Sequence, residues 1–224
     1  MTQLQSKRVI LFGIGGVGSW CAECLIRTGL THLTIVDGDT VQASNLNRQL
    51  PATQATLGMP KVEALKARLL EINPDAEIEA IHAYYGENGM SKEGSFNFPY
   101  GVSRSEELST FNYIIDAIDD VQAKTDLLLY ASRLKGVKIF SSMGAALRFD
   151  PTQVTTGELM SIKGDALAKA VRARMKRLDR HPSKKIRCVY STEQAQKCET
   201  RGSLMQVTAV FGLTLASMVI GDLK

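Results

Sequence analysis

Cysteine is scarce in this sequence, with four in 224 residues, and so are tryptophan, with one, and proline, with six. Four thiols in a chain this long are too few for a disulfide-dense secreted scaffold. Eighteen glycines without a Gly-X-Y period exclude a collagen-like chain. Long apolar runs are missing too. The first, residues 9–12, follows a polar stretch and is too short for a secretory leader. The longest, residues 204–220, has 17 positions broken by Gln206, Thr208, Gly212, Thr214 and Ser217, whereas a membrane span needs roughly 20 apolar residues. The expectation is a cytoplasmic chain with reduced thiols and no stable membrane insertion, whose last helix is buried in a core or a subunit interface. No internal repeat or low-complexity segment is present.

With 44% hydrophobic and 22% charged residues, the composition is that of a folded globular protein. The length suits one well-buried domain, residues 1–224. The net charge of +4 is uneven. Residues 163–187 hold ten Lys/Arg and only Asp165 and Asp179 as acids, so this strip carries +8 and the remainder −4. Such a run is a solvated helix face or a contact for phosphate-rich material, because clustered cations displace condensed counterions.

The element order is read from periodicity. Residues 8–12 form a buried, partly β-branched run that stops at Gly13, as a parallel strand does. Residues 17–28 have helical spacing and end before Gly29. A second strand, residues 32–37, ends in a carboxylate. A helix at 60–72 begins with Pro60 near its first turn. Strands are expected at 76–81, 113–116, 137–140, 153–156 and 187–190, and helices at 123–134 and 166–178. Residues 84–108 lack a clear period and read as an exposed insertion, one that covers a bound ligand, contacts a partner or is a mobile surface loop. The whole predicts an α/β fold, a Rossmann-like, doubly wound, mostly parallel sheet with helices on both faces. Residues 8–145 are its nucleotide-binding core, and residues 146–224 add the basic helix and the apolar last helix. That apolar surface suggests a homodimer.

Gly13, Gly15 and Gly18 fit G-x-G-x-x-G between a strand and a helix. Backbone can then approach a phosphate without a Cβ in the way, at a helix N-terminus that favours anions. Asp37, 19 residues past Gly18, suits ribose hydroxyls. These features imply an adenine nucleotide but leave NAD and ATP both open. The dense polar segment Asn45-Leu-Asn47-Arg48-Gln49, with Lys61 beyond it, favours triphosphate chemistry. Cations there neutralise the charge of departing pyrophosphate. Asp116-Ala-Ile-Asp119-Asp120 places carboxylates at a strand's carboxyl end, where one can hold Mg²⁺ together with phosphate oxygens. Taken singly, Arg48 is a surface cation, Lys61 a helix-start lysine and Asp119 an N-cap.

Cys21 and Cys24 form C-x-x-C inside a helix beside Trp20, where buried structural thiols are expected. Cys188 and Cys198 are ten apart, and no second close pair completes a four-cysteine zinc site. Cys198, ahead of the last helix, is a secondary candidate for capturing an activated carboxylate. The three histidines have no metal spacing.

The motifs Gly13-Ile-Gly-Gly16-Val-Gly18-Ser-Trp20, Asp37-x-Asp39, Ser44-Asn-Leu-Asn-Arg-Gln49, Gly58-Met-Pro-Lys61 and Asp116-Ala-Ile-Asp119 together resemble the ubiquitin-activating-type (ThiF- and MoeB-like) adenylating superfamily. The second half is most similar to its tRNA threonylcarbamoyladenosine dehydratase branch. Phe149-Asp-Pro-Thr-Gln153, residues 165–174, Cys188-Val-Tyr-Ser-Thr-Glu193 and Val207-Thr-Ala-Val-Phe-Gly212 carry that likeness. The resemblance implies ATP- and Mg²⁺-dependent adenylation of the threonylcarbamoyl carboxylate of a modified adenosine in tRNA, then dehydration to a cyclic form. It implies Arg48, Lys61 and Asp119 as catalytic residues, with Asp119 on Mg²⁺. Gly13, Gly15, Gly16 and Gly18 lie under the phosphates, Asp37 holds the ribose, and Asp39, Asn45 and Gln49 join Arg48 and Lys61 around the triphosphate. Lys169, Arg172, Arg174, Lys176, Arg177, Lys184 and Lys185 would meet the tRNA backbone. The superfamily pattern also places an arginine ahead of the first strand, and none precedes Arg8 here. The competing readings are activation of a ubiquitin-like or sulfur-carrier C-terminus with a sulfur-transfer partner, a nicotinamide oxidoreductase, and a catalytically weak nucleotide-binding adaptor.

Overall fold

The computed structural model describes residues 2–86, 108–196 and 202–223. In chain order the elements are α1 (Thr2–Gln5), β1 (Arg8–Phe12), α2 (Gly18–Arg27), β2 (His32–Val36), α3 (Lys61–Ile72), β3 (Glu77–Ile81) and β4 (Tyr113–Asp116). There follow α4 (Val121–Ala131), β5 (Lys138–Ser142), β6 (Val154–Glu158), α5 (Ala166–Arg177), β7 (Arg187–Ser191) and α6 (Met205–Gly221). The seven strands form one sheet in the order β3-β2-β1-β4-β5-β7-β6, parallel throughout except for the edge strand β6. This is the mostly parallel α/β sheet expected from the strand and helix order.

Strand alternation divides the core in two. Val9 and Leu11 of β1, Leu33 and Ile35 of β2, and Tyr113 and Ile115 of β4 pack with α2, α3 and α6. Ile10 and Phe12, Ile114 and Ile139 face the other way, onto α4 and α5. Helices cover both faces, which is why the inner strands are apolar on both sides.

Helix ends follow local chemistry. Asp120 Oδ1 accepts the Ala123 N–H to cap α4, and Asp165 Oδ1 accepts the Ala168 N–H to cap α5. Thus Asp120, and not Asp119, is the cap. Pro60 stands next to the first turn of α3, as its N-cap residue. Helix α2 closes with Leu30 N–H on Leu25 C=O and Gly29 N–H on Ile26 C=O, with Gly29 at φ 103. That 6→1, 5→2 pair is a Schellman stop. Glu23 of α2 binds Arg27 and reaches Arg68 of α3 at 2.6 Å, tying the two helices.

The apolar last helix is mostly covered by its own chain. Val207, Phe211, Leu215 and Val219 are fully buried, and a Cβ on Gly212 would lie 2.4 Å from the Val17 carbonyl oxygen of α2. Of the two places expected for this helix, a core or a subunit interface, most of its apolar surface lies in the chain's own core. Only a strip including Met205 and Leu213 remains exposed. Among the described residues, no helix is long and apolar enough to cross a membrane. One helical turn, α1, precedes β1 and buries Leu4.

Candidate active site

The strand order reverses direction between β1 and β4, so the loops after them diverge and leave a crevice at the carboxyl ends of the strands. A cavity of about 690 Å³ lies there. Its lining includes Gly13, Gly15 and Gly16, Asp37 and Asp39, Arg48 and Gln49, Lys61, and Asp119. Residues far apart in sequence thus converge on one space.

The glycine loop has two kinds of glycine. Gly13 sits at φ 88, and a Cβ there would be 2.6 Å from the Ala117 carbonyl oxygen. A Cβ on Gly18 would fall 1.8 Å from the Gly13 carbonyl oxygen. The close packing of loop, helix and neighbouring strand demands both. Gly18 does not line the cavity, so its expected place under the phosphates is corrected to packing. Gly15 differs: the nearest atom to its missing Cβ is Gln49 Nε2 at 3.8 Å. The protein's own packing does not require that glycine. The space it leaves opens on the cavity, as a cradle for a ligand's phosphate does.

Asp37 fixes this loop. Its Oδ2 accepts the Ile14 N–H at 2.6 Å and its Oδ1 accepts the Asp39 N–H at 2.8 Å. Each oxygen keeps a lone pair for a ribose hydroxyl. Burial pushes the Asp37 carboxyl above its ordinary range, against the nearby Lys61 charge and the two backbone N–H groups. Asp39 shifts the other way. Burial alone would raise it, but hydrogen bonds from Lys61 Nζ and Tyr84 Oη, both at 2.6 Å, outweigh that and lower it.

Arg48 Nη1 donates to Ser44 C=O and to Asn47 Oδ1, both at 2.8 Å, and the Arg48 carbonyl accepts the Trp20 indole N–H. The guanidinium is held from one side, with other N–H groups left for an anion. Gln49 is 8% exposed, and its Oε1 has no partner. A buried amide with an unmet oxygen is expected where a ligand or its water completes the site. Asp119 is exposed on the cavity wall and has no hydrogen bond or ion pair among the described residues. Asn45 lies outside the lining. Its Oδ1 accepts the Gln42 N–H at 3.0 Å, so it shapes the turn that carries Arg48 and Gln49.

Behind the wall lies a buried pair. Lys124 Nζ donates to Asp116 Oδ2 at 2.6 Å, Ser141 Oγ at 3.2 Å and the Ser142 carbonyl at 2.9 Å. Asp116 Oδ1 accepts the Ile118 N–H at 3.1 Å. One ammonium therefore fastens the loop bearing Asp119 to the end of β5. The adjoining wall at Gly144 is held by Asp165, whose Oδ2 accepts the Gly144 N–H and the Arg148 guanidinium.

Several wall residues escaped the sequence reading. Tyr84 and Tyr85, assigned to an exposed insertion, line the cavity. Tyr84 lies over Gly38, where a Cβ would be 2.6 Å from its ring, and Tyr85 packs edge-on against Phe12 at 5.4 Å. The first residues after β3 are thus wall, and residues 87–107 of that insertion lie outside the described residues. Gln122 and Asp126, one turn apart on α4, and Ser203 and Thr208 near the start of α6 complete the wall. The helical spacing of 122 and 126 was the only available signal.

The basic strip is not part of this cavity. Arg172 donates to the Leu159 carbonyl at 2.8 Å, and Arg174 lies 3.4 Å from Asp126. Lys184 donates to the Leu134 and Val137 carbonyls, and burial pushes its pKa down. These three are partly engaged by their own chain, and the exposed cations of the strip have more donors free for phosphate. Lys169, Lys176, Arg177 and Lys185 are exposed. Burial raises the Cys21 thiol well above its ordinary value and that of Cys188 to about 12, so both are inert structural thiols. Cys198 lies outside the described residues. No group of three or more His, Cys, Asp or Glu among the described residues is placed to hold a metal.

Against this geometry stand the likenesses to known proteins. The family model described as "ThiF family" matches residues 1–222. The chain belongs to the ThiF family. Among the relatives of this ThiF-family chain, a tRNA threonylcarbamoyladenosine dehydratase of Haemophilus influenzae is 31% identical, covering 100% of this chain and 88% of that protein. The Escherichia coli protein of that name is 31% identical over 90% of this chain and 72% of its own length. A molybdopterin-synthase adenylyltransferase of H. influenzae is 32% identical over 66% of this chain and 54% of its own length. The crystal structure of the E. coli dehydratase in complex with ATP superimposes with a TM-score of 0.85 at 30% identity, covering 99% of this chain and 87% of that one.

Proposed function

We propose that this ThiF-family chain is an ATP-dependent tRNA threonylcarbamoyladenosine dehydratase. The observation that carries the reading is the convergence of Gly15, Arg48, Lys61 and the unpartnered Asp119 on one cavity at the switch point of the sheet. The likeness to an ATP-bound dehydratase over 99% of the chain supports it.

In this reading Gly13, Gly15 and Gly16 cradle the ATP phosphates, and Asp37 accepts from the ribose. The substrate's threonyl carboxylate attacks the α-phosphate. The bond to pyrophosphate breaks, and an acyl-adenylate forms. Arg48 and Lys61 neutralise the charge gathering on the departing pyrophosphate, and the unmet Oε1 of Gln49 accepts a hydrogen bond from a ribose hydroxyl or a bound water. Lys61 is held by Asp39 at 2.6 Å and lines the cavity, so it is poised beside the phosphates. Asp119 would hold Mg²⁺ together with nucleotide oxygens. A free carboxylate without a protein cage suits a cation that is held mostly by phosphate and water. Bound there, Mg²⁺ would lower the charge that the phosphates present to the incoming carboxylate. Closure of the ring then expels AMP. Lys169, Lys176, Arg177 and Lys185 contact the tRNA backbone. The protein works in the cytoplasm, as a homodimer through the exposed strip of α6.

The test is pyrophosphate release with and without tRNA bearing threonylcarbamoyladenosine. Release is stimulated by that tRNA and collapses in Arg48→Ala and in Asp119→Ala. Unchanged release in both variants would falsify the site assignment. The adenylyltransferase likeness favours a second reading, in which a sulfur-carrier C-terminus is activated alongside a sulfur-transfer partner. Stimulation by such a carrier and not by tRNA would replace the first reading with the second.

A further inference from the structure

We infer that the contact with RNA phosphate extends from the basic strip onto the rim of the sheet opposite the cavity, where α4 and α5 end and where Arg133, Lys135 and Arg180 join Lys176, Arg177 and Lys185. The inference rests on tRNA being the substrate, as proposed above. The parallel strands put the cavity at their carboxyl ends, and α4 and α5 both start there. Asp120 caps α4 beside Asp119, and Asp165 caps α5 while holding Gly144. Helix α5 has 12 residues, about 18 Å at 1.5 Å per residue. Its last turn, with Lys176 and Arg177, is therefore carried to the far rim.

The chain then folds onto the end of α4. The Ser183 N–H donates to Ser132 Oγ at 3.0 Å, and the Lys184 ammonium donates to the Leu134 and Val137 carbonyls. Those contacts seat residues 183 and 184 on the end of α4, where Arg133 and Lys135 also stand, and Arg180 and Lys185 flank that seat in sequence. Two stretches some forty residues apart in sequence thus meet as one patch of six cations: Arg133, Lys135, Lys176, Arg177, Arg180 and Lys185. All six are exposed, and none has an ion pair among the described residues.

Asp179 is the one acid within residues 130–137 and 174–187, so with it the six cations keep a net +5. Asp222 is taken by Lys138 and by Tyr113 Oη. Asp179 sits at φ 51 because it fills the left-handed position of the stop of α5, where Arg180 N–H bonds Met175 C=O and Asp179 N–H bonds Lys176 C=O. An ordinary soluble surface intersperses both signs. Six like charges held together repel, and a polyanion that replaces their counterions relieves that. An RNA with one base in the cavity carries its phosphates onward past the rim of the site. Contacts at this distance position the RNA and take no part in the reaction.

The test is the triple variant Arg133→Glu/Lys135→Glu/Arg180→Glu, all three outside the cavity. Binding of labelled tRNA is followed by anisotropy over a KCl series, with ATP binding followed by calorimetry. The variant is expected to bind tRNA on the order of tenfold more weakly or worse. Its log–log salt slope should be shallower by about 2–3, and ATP binding unchanged. The neutral pair Lys135→Ala/Arg180→Ala should give a smaller loss in the same direction, without reversed charge. Variants that keep ATP binding and bind tRNA with wild-type affinity and slope overturn the surface, whether or not they lose an acidic protein partner. If the wild type itself shows no salt-dependent tRNA binding, the proposed function falls together with the surface.

Discussion

Of the three lysine–aspartate pairs that meet at 2.6 Å among the described residues, two lie at or behind the cavity in different surroundings. Lys124 and Asp116 meet at 2.6 Å with neither side chain exposed, and Lys61 and Asp39 meet at 2.6 Å with Asp39 49% exposed. The three ammonium protons of Lys124 are matched by Asp116, Ser141 and the Ser142 carbonyl. It has none to offer a ligand. Lys61 has one protein partner at its ammonium and a cavity beside it. Geometry alone does not distinguish scaffold from site. Burial and the count of satisfied donors do.

The largest effect should come from breaking the buried pair. Lys124→Met leaves the Asp116 carboxylate in the core without its cation, which costs about 3–5 kcal/mol. Urea unfolding should show that loss. The double variant Asp116→Asn/Lys124→Met, which removes the stranded charge, should regain a good part of it. A single variant as stable as the wild type would mean that this pair does not fasten the Asp119 loop.

The same division runs through the glycine loop, with a smaller expected effect. Gly18→Ala sets a Cβ 1.8 Å from the Gly13 carbonyl oxygen, which only a backbone shift can relieve. It should cost about 1–3 kcal/mol or more as overpacking does, and lower ATP affinity as a consequence. Gly15→Ala meets only Gln49 Nε2, at 3.8 Å. It should leave the denaturation midpoint within about 0.5 kcal/mol of the wild type, as substitutions away from strained features do, while ATP binding by calorimetry weakens. Equal stability losses in the two variants would erase the distinction.

How much of this was readable beforehand follows from where the physics is local. The strand runs, the Gly13–Gly18 loop and the carboxylate at the end of β2 are local patterns, and a mostly parallel sheet with a pocket at its carboxyl edge follows from them, whereas the strand order and the antiparallel β6 do not. Gly18 and Asn45 were placed on the ligand because a motif does not say which members face outward. Only the fold shows that Gly18 abuts Gly13 and that Asn45 closes a turn. Tyr84 opens the insertion and Asp126 has only its helical spacing from Gln122 as a signal; both reach the cavity through tertiary contacts. Likewise, Lys184 and Arg172 look identical to Lys185 and Lys176 in a charge run. They differ only in the carbonyls that the fold brings to them.

Breaking the open pair separates activity from stability. Lys61→Met should cost less unfolding free energy than Lys124→Met, because the Asp39 carboxylate it leaves behind is 49% exposed and is rehydrated, although Lys61 itself is buried. It should lower tRNA-stimulated pyrophosphate release by on the order of a hundredfold, as removal of a charge-stabilising donor does. A variant that unfolds as readily as Lys124→Met would make Lys61 a scaffold residue like Lys124.

The smallest effect is the pH dependence of that same pair. The Asp39 carboxyl lies below its ordinary value of 3.8 because hydrogen bonds from Lys61 and Tyr84 outweigh the opposing effect of burial. A carboxyl depressed on folding contributes stability above its unfolded value, and that contribution is lost as pH falls from about 3.8 through the depressed one. Asp37 has the opposite sign. Burial raises it, so its ionisation costs stability as pH rises from about 3.8 through the raised value. Near that point the two slopes oppose each other and partly cancel. Asp39→Asn removes one of them. The acid limb of a stability-against-pH curve should then fall less steeply below pH 3.8, by under about 1 kcal/mol in total because Asp39 is half exposed. The Asp37 slope just above should stand out. An acid limb identical to that of the wild type would mean that Lys61 and Asp39 meet without stabilising the fold at all, leaving the pair's whole role to the ligand.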